Sequence, residues 1–74
     1  MADTVKLGAR YRHYKGNEYT VIAIAKHSET LEDMVVYRAE YGTGQVFVRP
    51  LFMFTESVTV NGEVQKRFSL ISDN

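Results

Sequence analysis

Tyr11-Arg12-His13-Tyr14-Lys15-Gly16-Asn17-Glu18-Tyr19 sets aromatic and strand-forming residues on both sides of a Gly-Asn pair, and a segment so composed reads as a β-hairpin. It also places a fixed cation, a titratable imidazole and an aromatic ring at consecutive positions. Outward from this hairpin the same punctuation recurs. The polar stretch 27–33, Gly42-Thr43-Gly44, Pro50 and Asn61-Gly62 divide short runs rich in Val, Ile, Tyr, Phe and Thr, and no window carries a helical period. The spacing predicts strands near 10–15, 18–26, 34–41, 45–49, 55–60 and 63–68, with a tight turn over 50–54 where Pro50 stops the ladder. Such closely spaced strands predict an all-β fold, a small barrel of five to six short antiparallel strands.

Register follows from turn chemistry. Asn-Gly is the strongest two-residue hairpin signal, because both residues tolerate the positive φ of a type I′ turn. Around Asn61-Gly62 it pairs Val60 with Glu63, Val58 with Gln65 and Glu56 with Arg67, the last a cross-strand ion pair. If Gly16-Asn17 is also a two-residue loop, Lys15 faces Glu18, Tyr14 faces Tyr19, His13 faces Thr20 and Arg12 faces Val21.

Both alternating sets of residues 19–25 are largely apolar, which predicts a strongly coiled strand shared by the two halves of a barrel, with neither side solvated. In the next strand Val35, Tyr37, Ala39 and Tyr41 form the inward set, and Val36, Arg38 and Glu40 the outward one. Val46 and Val48, two valines in register, are expected inside, with Phe47 and Arg49 outside. Residues 50–54 read as an apolar plug closing one end.

The chain has 74 residues, enough for one core, so a single domain over 1–74 is expected, with an ordered core at about 8–70 and loose ends at 1–8 and 70–74. Nine basic and nine acidic residues cancel, which excludes the global field that drives sequence-independent nucleic-acid or membrane binding and leaves only local patches for such work. The absence of cysteine excludes disulfides, thiolate zinc sites and cysteine nucleophiles. No apolar stretch reaches signal-peptide or membrane-span length, so a cytoplasmic protein without membrane contact is expected.

The succession YRHYKGNEY, AKHSET, VVY, YG, FVRP, MF and RF, from Gly8 to Phe68, resembles the signature of a family of small bacterial proteins known as domain of unknown function 1653. The resemblance implies an SH3-like barrel, most often a stand-alone protein, with no assigned reaction. Phe47 stands where the family's pattern has tryptophan, and Lys66 where it has proline.

Each polar constellation has a structural alternative. Arg12-His13-Tyr14 could grip a phosphate, a carboxylate or a base, but alternation sends His13 to the face opposite Arg12 and Tyr14. His27-Ser28-Glu29-Thr30 invites a nucleophile-plus-base reading, yet Ser28 or Thr30 capping the following turn explains it better. A metal held by His13, His27 and Glu29 or Glu32 would require two distant segments to meet. Tyr37, Tyr41, Phe47, Phe52 and Phe54 could form an aromatic platform, although a barrel this small consumes most large side chains as core.

The reading that results is a non-enzymatic binding module. Arg12, Tyr14, His27, Ser28, Glu29, Tyr37 and Arg49 are expected around one barrel mouth, holding a small anionic ligand, a nucleotide, RNA or a peptide, with no cofactor and no metal. An interaction or oligomerisation module, such as a homodimer, comes second. A hydrolase using His27 and Glu29 comes third.

Overall fold

The computed structural model describes residues 5–72. Within them the chain is nearly all β: β1 (Arg10–His13), β2 (Glu18–Lys26), β3 (Asp33–Ala39), β4 (Val46–Pro50), the helical turn α1 (Leu51–Phe54), β5 (Ser57–Val60), β6 (Glu63–Lys66) and β7 (Phe68–Ser72). Five strands form one antiparallel sheet in the order β4-β3-β2-β1-β7, and β5-β6 form a separate hairpin.

The all-β expectation stands, while the closed cylinder gives way to two sheets. Pro50 has no N–H, and the chain leaves the β3 ladder there to enter α1. The hairpin that follows is tied back at Arg67, whose N–H donates to the Glu56 carbonyl at 3.0 Å and whose carbonyl accepts the Tyr14 N–H at 2.9 Å. Residues 70–72, expected to be loose, belong to β7 and pair with β1 through Tyr11↔Leu70 and Arg10↔Ser72. At the other end the Gly8 N–H donates to the Val21 carbonyl at 2.8 Å; residues 1–4 and 73–74 lie outside the described residues.

The Asn61-Gly62 hairpin has the expected register, Val60↔Glu63 and Val58↔Gln65, with φ of 53° and 82° at the turn and an Arg67–Glu56 ion pair at 3.1 Å. The first hairpin is three residues out of the expected register, pairing Arg12↔Glu18, Tyr11↔Tyr19 and Arg10↔Thr20. Its loop is closed by His13 N–H to the Asn17 carbonyl at 2.8 Å and Gly16 N–H to the His13 carbonyl at 2.7 Å. Gly16 alone takes positive φ, 111°, which makes this a three-residue loop with a single left-handed position. The shift is odd, so it exchanges faces: Tyr19 packs on the side of Tyr11, and the expected Tyr14–Tyr19 pair is absent.

The inner face of the large sheet carries the core. Ala9, Tyr11, Val21, Val35, Tyr37, Ala39, Phe54 and Phe68 are buried. Phe54, from α1, stacks on Phe68 at 4.0 Å and meets Tyr11 and Tyr37 edge-on at 5.4 Å, with half-buried Leu51 packed against the same cluster, so only part of the expected plug is inside; Phe52 is exposed.

Beyond Val21 a bulge at Ile22 shifts the β2–β3 register. The distal half of β2 runs past the core with Ile22, Ile24 and Ala25 exposed, contrary to the expectation that neither side is solvated. In β4 the faces are also the reverse of those expected. Register with β3 places Phe47 beside Tyr37 and Arg49 beside Val35 on the inner side, leaving Val46 and Val48 exposed. Among the described residues no helix is long and apolar enough to cross a membrane.

Candidate functional site

At the end of the sheet where β1 stops and β7 begins, a cleft of about 200 Å³ is lined by Arg12, His13, Tyr14, Gln65, Lys66 and Ser69, with Ile71 as its apolar wall. Alternation along β1 separates Arg12 from His13, yet both reach this cleft because it opens across the sheet's edge rather than on one face. The ring of His13 lies 4.5 Å from Tyr14 and edge-on to Phe68 at 4.9 Å. Its Nδ1 accepts the Lys15 N–H at 3.2 Å.

The charge around this imidazole is positive. Burial first, then the charges of Arg49, Arg67 and Lys15, push the His13 pKa below its ordinary value, so the ring is neutral at pH 7. Arg12 is paired with Glu18 at 2.9 Å, and Arg67 with Glu56. Among the described residues Lys15, Arg49 and Lys66 have no carboxylate within ion-pair distance. Arg49 instead donates from Nε to the Tyr37 hydroxyl at 3.3 Å and sits 5.6 Å over the Phe68 ring, while Lys15 lies 5.9 Å over Tyr14. The Arg67 Nε is buried without a hydrogen-bond partner among the described residues. Such a cluster attracts an anion, and two lysines on exposed positions have the reach to close on it.

A second cleft, of about 220 Å³, opens at the β3–β4 turn between Tyr41 and Phe47, over Gly42, Thr43 and Gln45. Tyr19 joins the two clefts. Its ring is edge-on to Phe68 at 5.8 Å, to Tyr41 at 5.6 Å and to Phe47 at 6.2 Å, and its hydroxyl shares a 2.8 Å hydrogen bond with that of Tyr41. Burial, then this bond, pushes the Tyr19 pKa up to about 12.

The outer face beside the first cleft is a belt of exposed ion pairs. Arg10 contacts Glu18 at 3.7 Å and Glu40 at 3.4 Å, and Arg38 contacts Glu40 at 3.7 Å. The Thr20 hydroxyl also donates to Glu40, and this bond, followed by Arg10 and Arg38, holds the Glu40 carboxyl below its usual range.

Of the seven residues expected around one mouth, the fold brings together Arg12 and Tyr14, with Arg49 and Tyr37 behind them across Phe68. His27, Ser28 and Glu29 are elsewhere, in the exposed β2–β3 turn, about 30 Å from Glu18 along a straight strand. There the His27 Nδ1 accepts the N–H groups of Glu29 at 3.1 Å and Thr30 at 3.3 Å, and the Thr30 hydroxyl accepts the Glu32 N–H at 3.2 Å. These bonds order a turn in which Leu31 adopts φ of 63°. Among the described residues no three His, Asp or Glu side chains are grouped to hold a metal.

The sequence reading missed Gln65, Lys66 and Ser69, and undervalued His13. Only recognition that β6 continues through Arg67 into a strand pairing with β1 brings them to Arg12.

Residues 9–70 match the model of a family described as "Protein of unknown function (DUF1653)". A crystal structure of a DUF1653 protein from Bordetella bronchiseptica is similar to this chain at 32% identity and a TM-score of 0.81, covering 90% of this chain and 88% of that one. No curated protein matches.

Proposed function

We propose, for a chain that belongs to the DUF1653 family of unknown function and so takes no assigned reaction from its relatives, that it is a binding module for a small anionic ligand. The ligand occupies the cleft of Arg12, His13, Tyr14, Gln65, Lys66 and Ser69. One observation supports this reading above the rest: Lys66 and Arg12 line the same cleft as an imidazole on which Arg49, Arg67 and Lys15 already press, and three of those five cations have no carboxylate partner among the described residues. An anion there relieves mutual repulsion among them, and the His13 ring, the Tyr14 hydroxyl and Ser69 supply neutral hydrogen bonds.

Titrating labelled protein with sulfate and then with a nucleoside monophosphate tests the reading. The amides of His13, Tyr14, Lys66 and Ser69 move with a common binding curve, and the Lys15→Glu, Lys66→Glu double variant abolishes the response. Amides that stay still up to tens of millimolar of either anion overturn it.

A second reading, pairing of two copies through β4, has its own support. Val46 and Val48 are 57% and 58% exposed on an edge strand. The Ala39 N–H bonds the Gln45 carbonyl at 2.9 Å, so by alternation the N–H and C=O groups of Val46 and Val48 point away from β3. Light scattering at rising concentration checks it: a dimer that Val48→Lys disperses supports pairing, and a monomer throughout removes it.

A further inference from the structure

The anion reading leaves the aromatic cleft unused, and its position relative to the cations is informative. β1 and β3 end, and β2, β4 and β7 begin, at the same end of the large sheet. The cationic and aromatic clefts therefore lie side by side on that end, about three strand spacings or 14 Å apart. An unbroken row of rings links them, His13 to Phe68 to Tyr19 to Tyr41 and Phe47.

We propose that the occupant of this end is a short single-stranded nucleic acid, its phosphates on Arg12, Lys15 and Lys66 and one base slotted into the cleft between Tyr41 and Phe47. The proposal rests on the anion-binding reading and names the ligand class of the same end of the molecule.

Four features of the second cleft suit a base. Tyr41 and Phe47 remain 45% and 37% exposed, so their rings are accessible to a flat partner, while Tyr11 and Tyr37 on the same face are buried and Tyr19 is half-buried. The turn between them has Gly42 and Gly44 at φ of 58° and 72°, and a Cβ built on Gly42 would meet nothing within 4 Å, so the backbone side of the cleft is open to a planar group. Thr43 and Gln45, which line the cleft, carry side-chain donors and acceptors of the kind a base edge pairs with. Tyr41 is also preset: the shared hydroxyl bond to Tyr19 fixes its ring before any ligand arrives.

A base on an aromatic face and phosphates on a neighbouring cationic groove is the general physics of single-strand binding, and about four nucleotides is the lower end of the tract such sites occupy. Since the net charge is zero, the affinity rests on these few local cations. With two or three phosphates contacted, log Kd should rise with log salt at a slope of about 1.5 to 2.

The test compares three probes by amide shifts and anisotropy: an RNA tetramer, an abasic tetramer with the same phosphate backbone, and an acidic tetrapeptide carrying one aromatic residue. The RNA tetramer is expected to move the amides of Thr43, Gly44 and Gln45 together with those of Lys15 and Lys66. Tyr41→Ala weakens it about tenfold, Tyr41→Phe, which keeps the ring but loses the bond that presets it, weakens it less, and neither variant changes the abasic probe. If the abasic strand binds as tightly and leaves 43–45 unmoved, this inference falls and the anion reading stands. If neither strand nor sulfate binds, both fall. Tighter binding of the peptide overturns the nucleic-acid assignment. Should Tyr41→Ala unfold, the shifts at 43–45 in the unmodified protein decide alone.

Discussion

Replacing Phe54 separates what holds α1 in place from what merely decorates it. Four residues are far too few for a helix stable by itself, since isolated helices below about 12–15 residues are marginal in water. The ends of α1 give little help: Pro50 supplies no capping side chain, and the last turn is closed by the Thr55 N–H and hydroxyl, both donating to the Leu51 carbonyl at 3.1 Å. Its anchor is Phe54, 1% exposed, stacked on Phe68 and edge-on to Tyr11 and Tyr37. Phe54→Ala should cost about 3–5 kcal/mol, the range for truncating a fully buried ring. A chain of this length has a total stability of about 4–11 kcal/mol, so the variant sits near the edge of unfolding. Phe52, two positions earlier in the same turn and 62% exposed, should cost within about 0.5 kcal/mol when made Ala. Urea unfolding followed by tyrosine fluorescence measures both, because the chain has five tyrosines and no tryptophan. With a slope of about 1–1.5 kcal/mol/M for a protein this small, the Phe54→Ala midpoint falls by about 2 M or more while that of Phe52→Ala barely moves. Equal losses for the two variants would refute the assignment of the buried face of α1.

Three further outcomes are expected. The folded His13 has a pKa below its unfolded value of 6.5, so the unfolded chain takes up the proton first; stability should fall as pH drops below 6.5, and His13→Asn should flatten that loss in urea midpoints measured between pH 7.5 and 5. Tyr19 has the opposite sense at the alkaline end: unfolded tyrosine ionises near 10.0 and folded Tyr19 near about 12, so stability falls as pH rises past 10, and ultraviolet titration should show one late tyrosinate that Tyr41→Phe brings to lower pH. Gly62→Ala, at φ of 82° with open space around the added methyl, should cost about 1–2 kcal/mol through backbone strain alone, read as a lower melting temperature with unchanged contacts elsewhere.

The two glycine-asparagine turns show how far local chemistry carries. In Asn61-Gly62 the order of residues matches a type I′ turn, and every pairing drawn from it holds. In Gly16-Asn17 the order is reversed. Only Gly16 takes positive φ, the loop takes in Tyr14 and Lys15, and the pairing slips by three. The valines of β4 were misplaced for a different reason. Period-two patterning leaves two choices of inner face, and Val46/Val48 against Phe47/Arg49 is decided by register with β3, which puts the Phe47 ring against Tyr37. Strand β7 escaped because Ser69 and Ser72 dilute its pattern; it is defined by pairing with β1, a contact distant in sequence.

The candidate site was half legible for a related reason. Composition reports a charge of zero, and the fold then sorts that charge along β2. The bulge at Ile22 takes the distal strand past the core, so Glu29, Glu32 and Asp33 gather at the far turn with Lys26, which pairs with Asp33 at 2.7 Å. The near end collects Arg12, Lys15, Arg49, Lys66 and Arg67 from three separate stretches of sequence, with Glu18 and Glu56 as the acids paired to this cluster and Glu40 held by Arg10 and Arg38 on the outer face beside it. His27 looked functional because it stands beside Ser28 and Glu29, but adjacency in a turn lets its ring accept backbone N–H groups, a local task that uses the very lone pair a general base requires. His13 looked ordinary because alternation set it apart from its neighbours. What gives it chemical interest is the convergence of cations remote in sequence, and that convergence exists only after the ladder between β1 and β7 has formed.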